Sequence, residues 1–124
     1  AYGEGLVYDE MVVVDPNAPP APALGAEGGP KPGEGPSKEE RETGFFDVLF
    51  IGLGEGDEQM RVAVTGDKDP GYGCTSKMIG EAAICLINEA TATPGGVWTP
   101  GAAMGMKLIE RLRANAGMTF EVEA

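Results

Sequence analysis

The stretch Asp69-Pro70-Gly71-Tyr72-Gly73-Cys74-Thr75-Ser76-Lys77-Met78-Ile79-Gly80-Glu81-Ala82-Ala83-Ile84-Cys85-Leu86 constrains the fold of this chain most, because a glycine-rich loop runs into a helix without a break. Pro70 fixes its own φ, while Gly71 and Gly73 have access to backbone angles closed to other residues. Thr75 or Ser76 is placed to accept a bond from one of the first free helical N–H groups. Met78, Ile79, Ala82, Ala83, Leu86 and Ile87 recur at helical spacing, and Ile84 and Cys85 widen the apolar face. The spacing predicts a helix that is the most deeply buried in the chain. A glycine loop feeding a helix N-terminus gathers N–H groups and partial positive charge at one spot, which suits an anion. A plain tight turn before a core helix accounts for the same residues, and both readings stay open.

The charge balance narrows the partners. Nine basic residues against twenty acidic ones leave a net charge of −11, so nucleic acid and anionic membrane surfaces are poor partners. No apolar run approaches the length that spans a bilayer, and no signal peptide is visible. A cytoplasmic protein without nucleic-acid or membrane partners is expected. With no histidine, the commonest general base and metal ligand are both missing, and no metal site is expected. The two cysteines, Cys74 and Cys85, would lie roughly 16 Å apart along one helix, too far for a disulfide that needs Cα atoms within about 7 Å. Cys85 reads as a small buried hydrophobe; Cys74, near the helix start, could have a lowered pKa.

In chain order, Leu6-Val7-Tyr8 and Met11-Val12-Val13-Val14 read as one strand, interrupted at Asp9-Glu10. Seven of the ten prolines and five glycines fall between Asp15 and Pro36, a composition that cannot offset its ordering entropy by apolar burial. The chain therefore divides into a strand and Pro/Gly-rich loop over 1–36 and an α+β domain over 37–124. Ser37-Lys38-Glu39-Glu40 is a capping box starting a short helix through Thr43, ended by Gly44. Phe45 to Ile51 reads as a central strand, and Gln59 to Thr65 alternates with Met60, Val62 and Val64 on one face.

Between them, Gly52-Leu53-Gly54-Glu55-Gly56-Asp57-Glu58 reads as a loose hairpin connection. It is not a dinucleotide turn. The third glycine of the fingerprint falls on Asp57, a strand pattern follows, and three carboxylates would repel a pyrophosphate.

After the core helix, Val97-Trp98 reads as a short buried strand, and Thr99-Pro100 starts a helix running to about Ala114 or Ala116. Met104, Leu108 and Leu112 share its apolar stripe, Gly101 and Gly105 permit close approach, and Lys107, Arg111 and Arg113 are expected to face solvent. Gly117 ends it, and Met118-Thr119-Phe120-Glu121-Val122 supplies a last strand. Strand, helix, strand at this spacing fits a right-handed parallel crossover. The expected fold is α+β, a mixed β-sheet with two main helices packed on it.

Read together, several segments resemble the C-terminal region of saccharopine-dehydrogenase-like oxidoreductases, including the trans-acting enoyl reductase group. They are Gly35-Pro36 with Glu39-Glu40, Asp69-Pro70-Gly71-Tyr72 with Thr75 and Met78, Glu81-Ala82-Ala83, and Gly95-Gly96-Val97 with Thr99-Pro100-Gly101-Ala102-Ala103. Leu108-Ile109-Glu110-Arg111-Leu112 and Gly117 with Phe120-Glu121-Val122 complete the set. The resemblance covers about Gly35 to Val122. It implies a larger parent enzyme with an N-terminal Rossmann domain binding NAD(P), then a substrate and oligomerisation domain whose helices return near the nucleotide domain. By that resemblance the chain is a fragment, not catalytic alone and holding no cofactor of its own. Its partners would be the Rossmann domain and further copies, as a dimer or other homo-oligomer. No catalytic residue carries over. Asp69, Gly71, Tyr72, Gly73 and Thr75 are the candidates to face substrate or cofactor across the interdomain cleft. The alternative is a stand-alone binding or oligomerisation module without enzymatic activity.

Overall fold

The computed structural model describes residues 5–11, 16–17 and 33–123. The chain divides into two units, Ala1–Gly35 and Pro36–Ala124. In the first, residues 6–11 form no strand, and Leu6, Val7, Tyr8 and Met11 are all exposed. Asp9 Oδ1 accepts from the Glu10 amide at 2.9 Å, a local bond of the kind that competes with strand pairing. Residues 12–14 of the expected strand and 18–32 of the Pro/Gly-rich segment lie outside the described residues.

The second unit runs α1 (Lys38–Thr43), β1 (Phe46–Leu53), β2 (Gln59–Gly66), α2 (Gly73–Asn88), α3 (Pro100–Met104), α4 (Met106–Asn115) and β3 (Met118–Glu123). Both halves of the Ser37–Glu40 capping box are made, and the Gly44 amide closes α1 on Glu40 O. The sheet has the order β1-β2-β3, with both pairings antiparallel. The mixed sheet with a parallel crossover expected from sequence is thereby corrected. Val97 and Trp98 are exposed and lie outside any strand, and the Trp98 indole N–H is satisfied within its own loop by Pro94 O at 3.0 Å. No strand is therefore present there from which to cross over. Nor is β1 central; β2 holds that place.

Register assigns the faces. Phe46, Val48 and Phe50 share one face with Gly66, Val64, Val62 and Met60 of β2 and with Met118, Phe120 and Val122 of β3. This face meets the helices. The core gathers Val64 and Met118 from the sheet, Cys74 and Cys85 from α2, and Met104, Leu108, Leu112 and Ala116 from the α3–α4 segment. Burial of Leu108 and Leu112 stabilises the domain by about 1.5–3 kcal/mol each. The Phe46 ring lies across Gly66, where a Cβ would come within 2.1 Å of it.

Two helical expectations are also corrected. The helix expected from Thr99-Pro100 onwards is broken at Gly105, whose φ of 52° ends α3 and precedes α4. A Cβ on Gly101 would meet nothing within 4 Å, so no close approach occurs there. Helix α2 is not the deeply buried element: Cys74 and Cys85 are its buried residues, while Ile79, Ile84, Leu86 and Ile87 are exposed. Its apolar residues run round most of the cylinder, and α4 and α3 cover one side.

Candidate functional site

The loop from Asp67 to Tyr72 joins β2 to α2 and is held at both ends. The Asp67 amide donates to Gly117 O at 3.2 Å and the Asp69 amide to Arg41 O at 3.2 Å, which pins the loop against β3 and α1. Helix α2 starts under it, and Asp69 caps that start. Asp69 Oδ2 accepts from the amides of Tyr72 (2.6 Å) and Gly73 (3.1 Å), while Asp69 O accepts from the Cys74 amide (2.7 Å). These bonds, the Tyr72 and Gly73 amides foremost, hold the Asp69 carboxyl below the usual aspartate range. A carboxylate of the chain itself thus occupies the cluster of helix N-terminal donors that an anion would use.

The remaining loop residues settle into distinct roles. Thr75 and Ser76 do not accept from the helix start as expected; their hydroxyls donate to Pro70 O (2.5 Å) and Gly73 O (3.1 Å). The reason is that α2 begins at Gly73 with Tyr72 in the N-cap position, so Thr75 and Ser76 lie inside its first turn, while Asp69 reaches the Tyr72 and Gly73 amides from the loop. Neither Gly71 nor Gly73 has positive φ, so backbone angle is not what calls for glycine there. Gly73 is required by approach instead, since a Cβ would lie 2.6 Å from Arg41 O and 2.9 Å from Lys68 Cβ. A Cβ on Gly71 would make ordinary contact with the Asp69 carboxylate. Tyr72 is 55% exposed and presents its ring at the loop surface. Asp69, Gly71, Tyr72, Gly73 and Thr75 are therefore gathered into one turn, with Asp69, Gly73 and Thr75 engaged in building it and Tyr72 projecting from it.

Two depressions lie elsewhere. One of about 450 Å³ sits at the hairpin end, lined by Gly52, Leu53, Gly54, Glu58, Gln59 and Met60. The other, about 520 Å³, runs between α2 and the 93–100 loop and is largely apolar, with Ile79, Ala83, Leu86, Trp98 and Met104 among its walls. Sequence reasoning missed this groove because Leu86 and Trp98 both read as core. Gly95-Gly96, which also lines it, was its one visible signal. The hairpin loop expected over Gly52–Glu58 is confined to Gly54–Glu58, since Gly52 and Leu53 pair within β1; it is closed by the Gly54 amide on Glu58 O at 2.9 Å and followed by a strand, not a helix.

Helices α2 and α4 are clamped by charge. Arg111 reaches Glu81 Oε2 through Nε (2.8 Å) and Nη2 (2.7 Å), and Glu89 Oε1 through Nη1 (2.8 Å). Asn115 Nδ2 donates to Glu81 Oε2 at 3.1 Å, and Lys107 Nζ to Glu89 O at 2.5 Å. Arg113 donates to Phe120 O and lies 5.9 Å from that ring centroid. The three cations expected to face solvent thus serve as ties, because the C-terminal carbonyls and carboxylates of α2 and the edge of β3 are within their reach.

Both cysteines are fully buried free thiols. Burial pushes the Cys74 thiol up in pKa and outweighs nearby Lys77, the reverse of the lowering its place at the helix start suggests. Burial likewise raises Cys85. No group of metal-ligating side chains is present among the described residues, and no described helix is long and apolar enough to cross a membrane.

No family model and no solved structure matches the chain. Known proteins do. The chain is 38% identical over 94 residues to Mycobacterium tuberculosis proteins named as trans-acting enoyl reductases, from two strains, covering 74% of this chain and 22% of theirs. It is 28% identical over 103 residues to a mitochondrial saccharopine dehydrogenase-like oxidoreductase of Arabidopsis thaliana, covering 72% of this chain and 22% of that one. The resemblance read from the residues is thereby borne out. The chain is related to the C-terminal part of oxidoreductase-like proteins and spans about a fifth of their length.

Proposed function

We propose that this α+β unit is the C-terminal, substrate-side or oligomerisation domain of a larger NAD(P)-dependent oxidoreductase of the saccharopine-dehydrogenase-like kind, and is not catalytic by itself. The observation that carries this is the span of the match: three quarters of this chain aligns with about a fifth of proteins named as reductases or oxidoreductases. The loop geometry supports it. The helix start that could have bound a phosphate is filled by Asp69, and the hairpin that most resembles a nucleotide turn carries Glu55, Asp57 and Glu58. In the parent protein a separate N-terminal Rossmann domain would hold the cofactor. Tyr72 is the residue of the Asp69–Thr75 turn best placed to reach substrate or cofactor across a domain cleft.

Calorimetric titration of the 124-residue chain with NADH and NADPH tests the division of labour. No heat of binding is expected at micromolar cofactor, and saturable micromolar binding would overturn it. The wider claim is tested by the coding region upstream of Ala1, where a strand, a Gly-x-Gly-x-x-Gly turn and a helix are expected. A reading frame that begins just before Ala1 would refute it.

A further inference from the structure

Strand β1 has the sequence of an interior strand and the position of an edge strand. Its eight residues pair with β2 along their whole length without a bulge, and β1 lies outermost in the order β1-β2-β3. Natural edges are shortened, bulged, interrupted by proline or loaded with charge, because a bare row of N–H and C=O groups recruits other strands. In β1 the only charge is Asp47, near one end, and it has no proline. Apolar side chains stand on both faces: Val48 and Phe50 towards the helix side, Leu49, Ile51 and Leu53 away from it, all exposed. A strand flanked by neighbours on both sides and covered on both faces reads this way.

The face away from the helices shows where the cover would lie. On β3 it carries Thr119, Glu121 and Glu123, and on β2 Gln59, Arg61, Ala63 and Thr65. Thr65 and Thr119 share a 2.6 Å hydrogen bond, and Arg61 reaches Glu123 at 3.1 Å, a surface built to face water. On that side the large apolar side chains are those of β1, Leu49, Ile51 and Leu53, with Asp47 at its end. A layer laid flat over the face would need all three strands apolar. Continuation of the sheet beyond β1 needs apolar side chains just where they stand.

We propose that the edge of β1 left unpaired among the described residues accepts a further β-strand, supplied by the remainder of a longer polypeptide that carries this domain. The inference rests on the functional reading above. The span of the matches motivates the choice of occupant, since the aligned relatives place nearly four fifths of their length outside the shared segment. Charge points the same way. Two copies at −11 each repel on approach, whereas a strand in the same chain is held at high local concentration.

Hydrogen exchange followed by mass spectrometry, on the longer polypeptide and on the 124-residue chain, tests this. Half of the β1 amides point away from β2. Peptides covering residues 46–53 should exchange at least about tenfold more slowly in the longer polypeptide, with β2 changing far less. Ile51→Lys supplies a second readout. It should leave the melting temperature of the 124-residue chain within about 2 °C, since the side chain is exposed there, and lower that of the longer polypeptide well beyond this. Equal β1 exchange in both proteins would overturn strand addition while leaving the domain assignment intact. Protection in the 124-residue chain that rises with concentration, together with a doubled sedimentation mass, would also overturn it by making a second copy the occupant. A reading frame without upstream sequence would remove both the domain assignment and the occupant, and is recognised before any exchange is measured.

Discussion

Asp69→Ala is the sharpest perturbation of the turn that starts α2. It removes the acceptor for the Tyr72 and Gly73 amides and the negative charge at the helix N-terminus. Loss of a capping side chain costs about 0.5–2 kcal/mol, and the charge–dipole contribution is about 0.3–1 kcal/mol where partly exposed. Together these predict a loss of about 1–3 kcal/mol at pH 7. For a domain of this size that is a fall of about 4–8 °C in melting temperature per kcal/mol. The pH dependence has a definite sign. The folded carboxyl is held below its ordinary value of 3.8, so between the two pKa values the unfolded chain binds more protons than the folded one. The stabilisation is fully present above about pH 4 and is lost as pH falls through the lower, folded value. The gap in melting temperature between wild type and Asp69→Ala should therefore be constant from pH 7 to about 5 and narrow on further acidification. Asp69→Asn keeps an acceptor oxygen without charge and should fall between the two at pH 7. Coincident melts of wild type and Asp69→Ala at pH 7, or a gap unchanged at pH 3, would refute the assignment of Asp69 as a charged cap.

Two substitutions within α2 should act in opposite directions. Gly73→Ala forces a Cβ against Arg41 O and should cost about 1–3 kcal/mol, while Gly80→Ala points into open space and should gain about 0.5–1 kcal/mol in chemical denaturation. Arg111→Met should lower the melting temperature more than Lys38→Met, because Arg111 ties two helices through Glu81 and Glu89 while Lys38 makes an exposed 3.8 Å pair within α1; equal effects would argue against the clamp. On the proposed function, Tyr72→Phe in the longer polypeptide should reduce kcat/KM without moving the melting temperature, and unaltered kinetics would leave Tyr72 as a surface side chain.

Local chemistry was legible wherever it was settled within a few residues. The Ser37–Glu40 box, the Thr99-Pro100 helix start and the alternation of Met60, Val62 and Val64 all appear where the residues place them, and the hairpin after the first strand appears two residues shorter than expected. What sequence could not supply was the partner of each element. Whether β3 runs parallel or antiparallel to β2 depends on Gly117, whose φ of 69° and close approach to Asp67 turn the chain back beside Gly66. The capping of α2 by Asp69 was missed because the helix starts at Gly73, ahead of Thr75 and Ser76, and Asp69 bonds to its first amides across the loop from four residues before Gly73.

The misread elements err in one direction. Helix α2, strand β1 and the Val97-Trp98 pair were each expected to be more buried than they are. Intrinsic propensity cannot account for this, since all but Val97-Trp98 formed the secondary structure expected of them. The excess is in apolar area: Ile79 and Leu86 at the groove beside the 93–100 loop, Ile87 on the same helix, and Leu49, Phe50 and Ile51 on β1 remain exposed, on a chain otherwise rich in carboxylates. Isolated exposed apolar residues need no explanation, but rows of them along one helix side and one strand do. A sequence under selection only as this unit would have met water with charge along those rows, as it does on β3. On the functional reading proposed above, the two rows are where the rest of a longer polypeptide would be met, as expected of one domain among several.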